Sequence, residues 1–73
     1  MSGLPLISGR KCVKILETFG FRLVRQQGSH MILKREDPTT LLVVPDHKEL
    51  DRGTLRAIIR QAGLSVEVFK SKV

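Results

Sequence analysis

Residues 21–44 read FRLVRQQGSHMILKREDPTTLLVV, and the fold turns on how this stretch is divided. Its apolar residues gather in three segments, Phe21 to Gln26, His30 to Lys34 and Leu41 to Val44, each patterned with a period of two rather than 3.6. Gln27-Gly28 is a tight-turn candidate between the first two, and Glu36-Asp37-Pro38-Thr39 carries turn chemistry between the second and third. Pro45, which has no N–H to give a ladder, ends the last. The stretch therefore predicts three antiparallel strands. In the middle one Met31 and Leu33 face one side, while His30, Ile32 and Lys34 face the other, which is the more polar.

On both flanks the period changes. Upstream, Ser8 can cap a helix in which Cys12, Ile15, Leu16 and Phe19 recur at i, i+3, i+4 and i+7. Ile7 before the cap and Cys12 as fourth helical residue have the spacing of a hydrophobic staple. Gly20 ends this helix, with Phe21 folding back on Leu16 as in a Schellman motif. Downstream, Pro45 to Leu50 reads as a loop, and Asp51 caps a helix carrying Leu55, Ile58, Ile59 and Ala62 on one stripe. Gly63 ends it by the same device, with Leu64 returning to Ile59. Ser65 can cap one more turn through Val66, Val68 and Phe69, with a frayed end. The whole, 1–73, reads as one two-layer α+β domain of order α-β-β-β-α plus a short C-terminal helical turn, both helical stripes covering one face of a three-stranded antiparallel sheet.

At 73 residues there is room for one thin core, with a radius of gyration of about 11 Å. Hydrophobic residues at 41% and charged ones at 27% describe a folded chain and not a disordered one, and the size excludes a multidomain enzyme. The single cysteine, Cys12, forms no internal disulfide and no zinc finger, which points to the cytoplasm. No apolar run is long enough to span a bilayer, and no signal-peptide layout is present. Gly28-Ser29-His30-Met31 resembles an expression-tag scar, but its internal position, running into Ile32-Leu33, marks it as native.

Thirteen Lys and Arg against seven Asp and Glu leave a formal charge of +6, so a polyanion, nucleic acid first, is the partner to expect. A solvated basic surface or an acidic protein partner fits the same composition. With no Trp or Tyr and three Phe, stacking platforms are scarce and contacts should fall on phosphate and sugar. Arg52, Arg56 and Arg60 recur every four residues along one stripe of the second helix, either a phosphate track or a solvated face.

His30 follows Gly28-Ser29 at the start of the middle strand, and an imidazole can exchange a proton at cellular pH. RNA cleavage needs such a group, to take the 2′-hydroxyl proton or to protonate the departing 5′-oxygen. Lys34, on the same face, and the arginines could stabilise charge on the phosphorane. A lone strand histidine is more commonly structural. His47 either faces the same substrate or fixes its loop, and the second reading is preferred. No ligand pair has metal-binding spacing, so no metal and no small-molecule cofactor is expected.

Taken together, Leu4-Pro5, the Leu16–Phe21 run LETFGF, Gln27-Gly28-Ser29-His30, Val44-Pro45-Asp46-His47, Gly53-Thr54-Leu55 and Gln61-Ala62-Gly63-Leu64 resemble the HicA-type toxins over nearly the whole chain. The resemblance implies a double-stranded-RNA-binding-domain-like fold and a metal-independent mRNA interferase, held inactive by a HicB-type antitoxin protein. It places the catalytic histidine at His30 and a second motif histidine at His47. Gly28 and Ser29 carry over as small residues that let the strand start close to backbone or RNA. The chain differs from many relatives at Met31-Ile32-Leu33, where aromatic or further histidine residues are common. The alternative is a non-catalytic RNA-binding module of the same fold.

Overall fold

Ser8 accepts a hydrogen bond from the Lys11 amide, and helix α1 runs from it over Gly9–Glu17. Three strands follow, β1 Arg22–Gln27, β2 His30–Arg35 and β3 Thr40–Pro45, and then α2 Arg52–Gln61 and α3 Val66–Lys70. The computed structural model describes residues 3–73. The strands form one antiparallel sheet in the order β1-β2-β3. The helices lie on one of its faces, which gives an α-β-β-β-α domain of two layers, 17 Å in its shortest dimension with a radius of gyration of 11.3 Å.

The core is the expected one except at Phe19, which lies beyond the end of α1 and is only partly buried. Met31 and Leu33 of β2, Leu42 and Val44 of β3, Cys12, Ile15 and Leu16 of α1, and Leu55, Ile58 and Ile59 of α2 are all buried. Both helix ends close as Schellman motifs. Phe21 N donates to Leu16 O and Gly20 N to Glu17 O, and Leu64 N donates to Ile59 O and Gly63 N to Arg60 O. Asp51 and Ser65 cap α2 and α3 through the Thr54 and Val68 amides. Phe69 is fully buried, and where a frayed tail was expected, backbone hydrogen bonds continue to Val73.

Three features depart from expectation. Phe21 does not open the first strand but is buried just before it. All six residues of β1 are exposed, because it is an edge strand and a register shift between Leu23 and Arg25 breaks its alternation. The first turn is Gly28-Ser29, one residue later than expected. Gly28 has φ 58° and Ser29 no positive φ, the pattern of a type II′ hairpin turn.

Arg35, at the end of β2, joins the layers. Its guanidinium donates to Phe19 O and Ala62 O, at the C-terminal ends of α1 and α2, and lies 4.3 Å from the Phe21 ring centroid. One cation thus answers the free carbonyls of two helices at their negative ends. The N-terminal segment is also fastened, since Leu50 N donates to Ile7 O and Arg52 Nε to Leu4 O, with Leu4 and Leu50 buried.

Candidate functional site

β2 begins at His30, whose side chain is exposed on the sheet face that no helix covers. Its cross-strand neighbours are Gln27 and Pro45. The Gly28-Ser29 turn and the Pro45-Asp46-His47 loop therefore meet at one end of the sheet. Asp46 N donates to Ser29 O at 2.7 Å, which ties the loop to the turn. A Cβ at Gly28 would meet nothing within 4 Å, so this glycine answers the positive φ of the turn and not a close approach within the chain.

The Asp46 carboxylate organises this end. Arg10 donates to it from Nε at 3.1 Å and Nη2 at 3.2 Å, and Gln26 Nε2 donates to Oδ2 at 3.0 Å. The same Gln26 nitrogen also reaches Gly28 O at 3.0 Å. Helix α1, edge strand β1, the turn before His30 and the loop after β3 are joined through one carboxylate. The Arg10 and Gln26 hydrogen bonds hold the Asp46 carboxyl below its ordinary range. The Asp46 side chain is 18% exposed and that of Arg10 76% exposed.

Gly9 brings α1 to this position. Its amide donates to His47 O, and a Cβ there would lie 1.9 Å from Pro45 O, so only glycine lets the first turn of α1 abut the end of β3. The His47 carbonyl, rather than its imidazole, thus fixes the loop. Its ring is exposed and makes no side-chain hydrogen bond among the described residues. A cleft of about 370 Å³ opens beside it, lined by Ser8, Arg10, Asp46, His47 and Lys48.

Lys34 lies two residues beyond Ile32 on the open face, with Nζ 3.3 Å from Glu36 Oε2. That lysine draws the Glu36 carboxyl down, yet an exposed pair of this kind contributes little to stability. Gly28 and Ser29 form the turn that leads into His30, and Lys34 lies four residues further along β2 on the same open face, while His47 lines the cleft with Ser8 and Arg10. Arg52, Arg56 and Arg60 lie instead on the helical layer, on the outward side of α2, and Arg52 is engaged with Leu4 O.

Sequence reasoning missed Arg10, Gln26, Arg22 and Arg25. Register places Arg22 opposite Lys34 and Arg25 opposite Ile32, hence both on the open face. Their signal was present, because the alternation that put Ile32 and Lys34 on that face extends to their β1 partners once pairing is known. Arg10 and Gln26 had no such signal, being 36 and 20 residues from Asp46. Among the described residues, no three His, Cys, Asp or Glu gather as a metal-ligand group, and no helix is long and apolar enough to cross a membrane. Cys12 is buried on α1, and burial pushes its thiol up to about 12.

A small two-layer α+β domain with an exposed histidine between a Gly-Ser turn and a Pro-x-His loop defines the class of structure. The family described as HicA toxin of bacterial toxin-antitoxin matches residues 9–64, a span holding α1, the sheet, α2 and every candidate site residue named above. No curated protein matches the chain. The chain belongs to the HicA toxin family, and with it to the toxin side of a toxin–antitoxin pair.

Proposed function

We propose that this toxin is a metal-independent endoribonuclease that cleaves mRNA in the cytoplasm, with His30 as general acid or base, and that a HicB-type antitoxin protein holds it inactive. The observation that carries the reading is the position of His30, exposed on the open face at the start of β2, between the turn and loop that Asp46 ties together. The whole chain, 1–73, acts as one unit with the double-stranded-RNA-binding-domain-like order of elements.

In this reaction the 2′-hydroxyl loses its proton as the O2′–P bond forms, and the P–O5′ bond breaks as the 5′-oxygen gains one, leaving a 2′,3′-cyclic phosphate and a 5′-hydroxyl. His30 serves one of these transfers, a contribution of about 10²- to 10⁴-fold. Gly28 and Ser29 keep the approach to His30 low, and Lys34, released from Glu36, takes a phosphate of the strand further along the face. His47 is an auxiliary group at the mouth of the adjoining cleft. Arg52, Arg56 and Arg60, on the opposite layer, contribute to the long-range attraction of RNA rather than to the scissile phosphate.

Induced expression of the parent and of His30→Ala tests the role in cells. Growth arrest by the parent and normal growth with a folded His30→Ala chain are expected. Equal arrest by both would remove His30 from the mechanism.

A further inference from the structure

The sheet face that carries His30 also exposes aliphatic side chains. Leu41 is 62% and Val43 49% exposed, and register sets them against Lys34 and Ile32. The face reads in three rows across the strands: Arg22, Lys34, Leu41; then Arg25, Ile32, Val43; then Gln27, His30, Pro45. An aliphatic shelf of Ile32, Leu41 and Val43 is thus bordered by Arg22, Arg25 and Lys34 and ends at His30. With strands about 4.8 Å apart and residues about 3.3 Å apart along each, the face measures roughly 10 by 13 Å.

Such a shelf is matched by a ligand that offers flat apolar surface and negative charge at short intervals. An unpaired nucleic acid strand does so, since its bases are turned out and its phosphates run beside them. A duplex keeps its base faces stacked inside and would set phosphate and sugar against Leu41 and Val43 with no gain. The cations that border the shelf are all positive and have no acidic residue among the three rows, a one-sided charge suited to a phosphate backbone.

Resting on the ribonuclease reading above, we infer that the open face of the sheet is a binding site for unpaired, single-stranded RNA. Ile32, Leu41 and Val43 receive base faces, Arg22, Arg25 and Lys34 take the flanking phosphates, and the strand is delivered to His30. Selectivity for unpaired segments then resides in side chains that take no part in proton transfer.

The test is fluorescence anisotropy of the full chain with a labelled 2′-O-methyl oligoribonucleotide, which lacks the attacking hydroxyl and stays intact, offered single-stranded or annealed to its complement. Leu41→Thr/Val43→Thr places β-branched, strand-compatible residues at both exposed positions, and circular dichroism checks its fold. This variant is expected to bind the single strand about tenfold more weakly, the loss of roughly 50 Å² of apolar contact at about 25 cal/mol/Å². Its duplex binding should not change. Arg22→Gln/Arg25→Gln is expected to reduce the salt-dependence slope for the single strand by about 1.4, or 0.7 per phosphate contact. Unchanged single-strand affinity in the threonine variant, or a parent that prefers duplex, overturns the inference. So does loss of antitoxin binding with RNA binding intact, which would assign the face to protein. Cleavage of ordinary RNA is scored separately, so an inactive parent refutes the ribonuclease reading while the binding data still decide the shelf.

Discussion

Asp46 does more at this end of the molecule than either histidine's backbone can do alone. Its carboxylate accepts from Arg10 and Gln26 while its amide reaches Ser29 O, so one residue sets the position of the turn that presents His30. Those hydrogen bonds depress its folded value below the ordinary 3.8. The stabilisation is therefore present above 3.8 and is lost as pH falls through the lowered folded value. A carboxyl titration followed by NMR should give Asp46 a midpoint under 3.8, with the Ser29 and His30 amides shifting in step. A midpoint at or above 3.8 would show that the Arg10 and Gln26 contacts together do not favour the carboxylate in solution. Cys12 makes the opposite case. Its thiol, fully buried and pushed up to about 12, should resist iodoacetamide at pH 8 in the native chain and react promptly in denaturant. The placing of His30 directly after a glycine turn was legible in sequence because the residues are only two apart. The Arg10–Asp46–Gln26 cluster was not, because no local pattern connects residues that meet only through tertiary structure.

Elements were most legible where their signals are local. Ser8, Asp51 and Ser65 cap the helices they precede, and Gly20 and Gly63 end them, since a cap or a Schellman motif is complete within a few residues. Strand β1 was less so. Its six exposed residues follow from an edge position and a broken register, which depend on partners elsewhere in the chain. Two positions where elements meet carry measurable consequences. Arg35→Ala removes the bonds to Phe19 O and Ala62 O and the contact with Phe21, and should cost about 2 kcal/mol in urea denaturation. Arg35→Lys should recover only part of that, because an ammonium lacks the planar fork that reaches both carbonyls. Gly9→Ala places a methyl group against Pro45 O and should destabilise by about 1–3 kcal/mol. A neutral Gly9→Ala would mean that α1 does not rest on the end of β3.

At the scale of the whole molecule, basic residues lie on both faces of a chain with net charge +6. The open face joins Arg22, Arg25 and Lys34 to His30, while Arg56 and Arg60 lie on the helical layer. Substituting Arg56 and Arg60 by Gln should weaken RNA capture and its salt dependence yet leave the single-turnover cleavage rate within about twofold, as expected for charges that steer encounter. The central claim is that this toxin cuts RNA through His30 without a metal. Its most direct test is digestion of a single-stranded mRNA by purified protein in excess EDTA, beside His30→Ala. Fragments ending in 2′,3′-cyclic phosphate are expected from the parent and intact RNA from His30→Ala. Intact RNA in both lanes, or equal cleavage in both, would contradict it.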